Sequence, residues 1–296
     1  MFLVHRAGSW DLDERARVVG ILNVTPDSFS DGGRYVDPAR ALARAAEMAA
    51  EGADAIDVGA QSTRPGAGSP LPAALEWERL RHVFPGLVRL GIPISVDTYR
   101  VDVARRALDS GAAMVNDVSG LRVEPEVASV VAKAGAALIL MHSLGAPDRI
   151  HEPVEYDDTA ESVRKFLAHQ MGVALSAGVP EDHIALDPGI GFSKRATQSL
   201  EVLRGLQRLT SLGRPLYIGV SRKSFLAHGT GRPVEGRLAA GLGATVAALA
   251  LGARIVRTHD VRETVDAIRT AEAILRPLPH PASAPPRASS PAKARG

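Results

Sequence analysis

The sequence predicts an α/β chain closed into a (β/α)8, or TIM, barrel, on three observations. Short apolar runs alternate with amphipathic helical stretches about every 30 residues. Several of those runs are continuous in Val, Ile, Leu and Ala, which suits parallel strands covered on both faces. Eight such strand–helix units occupy about 260 residues, the span of one barrel. A doubly wound open sheet is the competing architecture, but no GxGxxG follows the first strand of the series.

Taken in order, residues 1–17 read as a hairpin: Phe2-Leu3-Val4, a Gly8-Ser9 turn signal, then Trp10-Asp11-Leu12. Strands are expected at 18–23, 54–58, 92–97, 113–117, 136–141, 183–187, 215–220 and 254–258. The helix from Pro38 to Glu51 has Asp37 as its N-cap and Pro38 at its first position. The helix from Val101 to Ser110 stops at Gly111. Other helices are expected at about 71–90, 124–134, 159–177, 198–211, 235–251 and 261–275. Residues 1–276 thus read as a single barrel domain that includes the hairpin. The tail 277–296 is rich in Pro, Ala and Ser without apolar periodicity, so disorder is expected there.

Composition narrows the function. Of 296 residues, 45% are apolar and 23% charged, which is ordinary for a soluble globular protein. There is no cysteine, which excludes a disulfide framework, a thiol nucleophile and a cysteine-ligated metal, and is compatible with a reducing cytosol. No uninterrupted apolar stretch approaches 18 residues and no signal segment opens the chain, so a cytoplasmic location without membrane partners is expected. The formal charge of +2 comes from the tail, whose Arg287, Lys293 and Arg295 contribute +3 and leave residues 1–276 at −1. With aromatics at only 4%, that balance argues against nucleic acid as a partner.

The chemistry gathers where a barrel should carry it, at the C-terminal ends of strands. The stretch Gly20 to Gly33, GILNVTPDSFSDGG, opens as a strand and becomes a loop bearing Asn23, Thr25, Asp27, Ser28, Ser30 and Asp31. Oxygen-rich loops of this kind suit a hard cation such as Mg²⁺, or a phosphate held with one. Asp57, Asp97, Asn116-Asp117, His142 and Asp187 close later strands, followed by Ser221-Arg222-Lys223-Ser224 and by Arg257, His259 and Asp260. A single Asp or Asn at such a junction is ordinarily a helix cap, but eight junctions in a row argue for a site. Asp97, Asn116 and Asp187 would match the edge of an amino-pyrimidine, and Arg64, Arg257 and His259 would clamp an anion. Asn23 makes a metal site only if a diphosphate supplies further oxygens.

Two connections exceed what packing requires, AQSTRPGAGSP after Gly59 and SLGAPDRIHEPVEYDD after His142, and both would overhang that face. A Schiff-base role for Lys223 competes with a positioned cation, and its place beside Arg222 just past a strand favours the cation. His5, His82, His151, His169, His183 and His228 lack metal-ligand spacing and read as surface or packing residues. Met48, Met114 and Met171 read as core.

The segments GILNVTPDSFSDGG, DVGAQSTRPGA, ISVDT, MVNDVSG, MH at 141–142, LDPGIGFSK, VSRKSFL and VRTHDV together resemble the dihydropteroate synthases, in the family's order across residues 18–261. The resemblance implies a transferase of folate biosynthesis. It would condense 6-hydroxymethyl-7,8-dihydropterin diphosphate with 4-aminobenzoate to give 7,8-dihydropteroate and diphosphate. It assigns pterin binding to Asp97, Asn116, Asp187, Lys223 and Arg257, and the Mg²⁺ ligand to Asn23. Diphosphate contacts fall to Asn23, Thr63, Arg64, Arg257 and His259, and the aminobenzoate pocket to Phe29, Pro65, Phe192 and Ser224. Asp31, Arg64, Lys223 and Arg257 are the implied catalytic groups, with Asp31 stabilising a cationic intermediate, and a homodimer is implied.

The chain departs from the family's pattern in two places. Ala60-Gln61 stand where glycine and glutamate are common, and Ser193 stands where glycine or alanine is usual; both are expected to be tolerated. A pterin-dependent methyltransferase, a non-catalytic pterin-binding paralogue and a lysine aldolase are the competing functions. The first would not need the NVTPDSFSDGG and STRPG loops, and the second should have lost Arg64, Lys223, Arg257 or His259.

Overall fold

A computed structural model describes residues 1–25, 37–61, 70–145 and 147–275. Phe29, Asp31, Thr63, Arg64, Pro65 and the tail lie outside the described residues. Strands β1 (Phe2–His5) and β2 (Gly8–Asp11) pair antiparallel as the expected hairpin. Eight parallel strands follow and close into a barrel: β3 (Arg17–Asn23), β4 (Ala55–Gly59), β5 (Ile94–Asp97), β6 (Met114–Asp117), β7 (Ala137–Met141), β8 (Ile184–Asp187), β9 (Leu216–Gly219) and β10 (Ala253–Thr258). The closing seam pairs β10 with β3, Ile255 opposite Arg17.

Every barrel strand is used on both faces. Val18, Leu22, Ile56, Val58, Leu138 and Leu140 join the large cluster packed under the surrounding helices. The alternate residues Val19, Ala55, Met114, Ile139, Ala185, Tyr217 and Ile255 fill the lower interior. Leu3, Trp10 and Leu12 of the N-terminal segment join that second cluster and plug the barrel floor. His5 stacks edge-on to Trp10, ring centroids 5.2 Å apart, and burial lowers its pKa to about 4. It is a packing residue, as expected, and neutral.

The helices follow the local signals. Helix α1 (Pro38–Ala50) starts where Asp37 accepts the N–H groups of Ala39 and Arg40 at 2.9 and 3.3 Å. The stretch expected to be one helix over 71–90 is two, α2 (Ala73–Leu80) and α3 (Phe84–Val88). Pro85 lacks the N–H that would continue the first helix and instead sits in the opening turn of the second. The expected helix at 198–211 likewise divides at Gly205 into α7 (Ala196–Arg204) and α8 (Leu206–Thr210), after α4 (Val101–Asp109), α5 (Val127–Ala134) and α6 (Thr159–Ser176). Helices α9 (Leu226–Thr230), α10 (Leu238–Ala250) and α11 (Val261–Leu275) complete the wall. Met48 and Met114 are fully buried, in line with a core role.

Candidate active site

The inward parity that fills the lower barrel with apolar groups puts polar ones at the top. Arg257 on β10 crosses the interior: its Nε donates to Asp57 Oδ2 at 2.6 Å, and its Nη2 to Asp97 Oδ2 at 2.9 Å. Asn116 Nδ2 on β6 donates to the same Asp57 oxygen at 3.1 Å. None of these pairs joins neighbouring strands, so the side chains meet inside the barrel. Asp57 is fully buried and Asn116 nearly so. Among the described residues, neither Asp57 Oδ1 nor Asn116 Oδ1 has a hydrogen-bond partner. Leaving such atoms unmet costs about 1–3 kcal/mol each, so both point to a ligand with donors.

One guanidinium thus serves two carboxylates. Burial opposes the charge of Arg257, but Asp57 and Asp97 outweigh it and hold the group above its ordinary value. Burial pushes Asp97 up to about 7; Arg257 works against that rise, and the charge of Asp57 adds to it.

The opposite wall is cationic. Asp187 ends β8 and accepts the N–H of Gly189 at 2.7 Å; burial raises its pKa against the pull of Lys223. The Lys223 ammonium lies 4.3 Å from the centre of the Phe192 ring and donates to the Ile190 carbonyl. Burial lowers its pKa to about 8 despite Asp187. Gly59 keeps the mouth open beside Asp97, because a Cβ there would come within 3.2 Å of the Asp97 Cβ.

Asn23 is half-buried at the end of β3, level with Gly59 on β4. His259 is held at the rim by Ser221, whose Oγ lies 3.0 Å from its Nδ1, and its carbonyl accepts from Arg44 at 3.0 Å. Ser224 is exposed just before α9. The structure therefore brings together Asp97, Asn116 and Arg257 on one side, and Asp187, Lys223 and Phe192 on the other.

Three residues take parts that the sequence left unassigned. Asp57 is the hub of the Arg257–Asn116 network; its signal was its even spacing from Gly59 on an inward face. Asp117, next to Asn116, faces away and accepts the Ser119 and Leu121 N–H groups at 2.8 Å each, so it holds a turn. Lys194 is buried, and its Nζ reaches His142 Nδ1 (2.8 Å), the Gly189 carbonyl (3.0 Å) and the Phe192 carbonyl (3.1 Å). His142, whose pKa burial holds well below its ordinary value, accepts from that lysine and packs on Phe166 at 4.7 Å, away from the Arg257 network.

Comparison with known proteins bears on this geometry. The family described as pterin binding enzymes matches residues 19–259. A dihydropteroate synthase of Synechocystis sp. is 44% identical over 269 residues, covering 90% of this chain and 93% of the relative. That of Mycobacterium leprae is 45% identical over 272 residues, covering 89% and 95%. A crystal structure of the Clostridium difficile dihydropteroate synthase, obtained in the presence of pteroic acid, superposes with a TM-score of 0.85 at 42% identity, covering 90% of this chain and all of the other.

Proposed function

This chain belongs to the pterin-binding enzymes, among the dihydropteroate synthases of folate synthesis, and from that premise we propose how its site carries out the transfer. The observation that carries the reading is the Arg257 fork between Asp57 and Asp97, with acceptor oxygens of Asp57 and Asn116 left over beside it. A dihydropterin ring offers matching N–H groups. Asp97, Asn116 and Asp187 bind its edge, Lys223 and Arg257 flank it, and Phe192 with Ser224 borders the aminobenzoate. Asn23, Arg257 and His259 are the described residues assigned to the diphosphate, and the resemblance adds Thr63 and Arg64. By resemblance, Phe29 and Pro65 are assigned to aminobenzoate binding and Asp31 to stabilising the developing cation.

The bond that breaks joins the pterin methylene carbon to the diphosphate oxygen, and its electron pair leaves with diphosphate. The electron-rich dihydropterin stabilises the methylene cation, the aminobenzoate nitrogen forms the new C–N bond, and its proton is lost to solvent. The substitution is largely dissociative, with no covalent enzyme intermediate. Arg257 serves it by stabilising charge on the departing oxygens.

Among the described residues no group of three His, Cys, Asp or Glu could hold a metal, and Asp57 and Asp97 each turn one oxygen to Arg257. Asn23 offers one oxygen at the mouth, so the described residues fit Mg²⁺ as an ion shared with the diphosphate. When bound there, it would help neutralise the leaving group.

The protein is proposed to work in the cytoplasm; among the described residues no helix is long and apolar enough to cross a membrane. A homodimer is proposed through the outer wall, where α10 carries no charged residue and exposes Leu238.

A coupled turnover assay with dihydropterin diphosphate and 4-aminobenzoate, with Mg²⁺ or with EDTA, tests this reading. Metal-dependent dihydropteroate and diphosphate, suppressed by a sulfonamide mimic of aminobenzoate, are expected. Binding of the pterin diphosphate without product would overturn the mechanism.

A further inference from the structure

The segment after β8 bends through left-handed backbone at every second residue: Gly189 (φ 65), Gly191 (φ 78) and Ser193 (φ 50). Glycine adopts that region freely, and Gly189 has no choice, because a Cβ would lie 1.9 Å from the His142 carbonyl oxygen. Ser193 is different. A side chain is disfavoured at positive φ, so something must hold it there.

What holds it is a saturated hydroxyl. Ser193 is fully buried. Its Oγ accepts the N–H groups of Leu144 (2.9 Å) and Gly145 (3.3 Å) and donates to the Ile150 carbonyl (3.1 Å). One donor and two acceptor positions are all that a serine offers, and all are used. Its main chain adds a bond from its N–H to Ile150 O (2.8 Å), and its carbonyl accepts from Tyr156 Oη (3.0 Å). Every one of these partners lies in the long connection after β7.

That connection returns to the site one residue later. His151 stacks on Phe192 with ring centroids 4.7 Å apart and planes 24° from parallel, and its Nδ1 lies 3.1 Å from the Gly191 carbonyl. Phe192 in turn lies against the Lys223 ammonium. Fixing the connection therefore fixes the ring.

We propose that the Ser193 hydroxyl is a positioning group that locks the connection after β7 onto the Phe192 segment and thereby sets affinity for the aminobenzoate substrate. It touches no reacting atom. The proposal rests on the reading of Phe192 as a wall of the aminobenzoate pocket.

Ser193→Ala removes the hydroxyl and strands two backbone N–H groups. The KM for 4-aminobenzoate is expected to rise about fivefold, while kcat and the KM for pterin diphosphate stay within about twofold. Amide exchange at Leu144 and Gly145 is expected to quicken in parallel. Ser193→Gly removes the same hydroxyl but relieves the backbone, so it guards against simple misfolding. A raised aminobenzoate KM in both variants supports the hydroxyl lock. Wild-type KM in Ser193→Gly, or equal rises in both KM values, would overturn it. Wild-type protein that turns over no aminobenzoate would instead overturn the reading of the site beneath it.

Discussion

The floor and the mouth of the barrel are built by the same eight strands at the same two-residue period, yet they are different materials. At the floor, Val19, Ala55, Ile139, Ala185 and Ile255 close on Leu3, Trp10 and Leu12 in a largely apolar plug. At the mouth, one arginine is divided between two carboxylates, and buried oxygens wait for donors. Tyr217 marks the border: its ring belongs to the floor cluster, while its hydroxyl, buried among Asp57, Arg257 and Asp187, is pushed well above its ordinary pKa, chiefly by burial. The difference teaches where each kind of energy resides. The floor stabilises the fold whether or not substrate is present, and the mouth is completed by what it binds.

The sharpest way to break the contrast is to empty the mouth of its cation. Arg257→Leu leaves Asp57 and Asp97 facing each other, and both turnover and stability are expected to fall, kcat/KM by about a hundredfold or more and unfolding free energy by about 3–5 kcal/mol. Retained turnover in a steady-state assay would refute the role given to the fork. Trp10→Ala attacks the floor instead: denaturant melts are expected to show a loss of about 3–5 kcal/mol, with kcat/KM of the folded protein within about twofold. A large kinetic defect there would erase the division between the two ends.

A titration sharpens it further. Glu76, buried beside Thr98 at the upper end, is pushed up to about 7 by burial. The folded protein keeps a proton there that the unfolded chain has lost, so stability drops as pH rises from about 4.5 to 7. Glu76→Gln is expected to abolish about 2 kcal/mol of that drop, read by melts across this range, and an unchanged slope would refute it. His5 at the floor runs the other way: its folded pKa is lowered, so its contribution is lost as pH falls from 6.5 toward 4. The smallest effect is kinetic. Lys223 is lowered to about 8, so its charged fraction falls about fivefold between pH 8 and 9, and the KM for pterin diphosphate should rise correspondingly. A KM flat over that interval would count against the lysine as a required cation.

Much of this division was written in the sequence. Apolar runs gave the strands within a residue or two, and the barrel rule then placed Asp97, Asn116, Asp187 and Arg257 at one face, where the structure has them. What the pattern could not supply was pairing across the interior. That Arg257 takes both Asp57 and Asp97 depends on barrel closure, which juxtaposes residues some 160 and 200 positions apart. Lys194 and Ser193 were hidden for another reason, because their partners are mostly backbone atoms, which carry no residue-specific signal. The break at Pro85 was readable, since proline inside a helical stretch forbids continuation. Asp31, Phe29, Thr63, Arg64 and Pro65 lie outside the described residues, so their roles rest on the resemblance alone.

The seam between β10 and β3 has a consequence for how the chain is made. Arg17 leaves the ribosome well over two hundred residues before Ile255, its partner across the seam. Until then β3 is an edge with an unpaired ladder, and the floor plug carried by the first twelve residues has an incomplete cylinder to fill. Closure over so long a separation is slow by nature. A chain interrupted before residue 253 is expected to remain open-edged and prone to self-association, so the last strand acts as the latch on the whole assembly line.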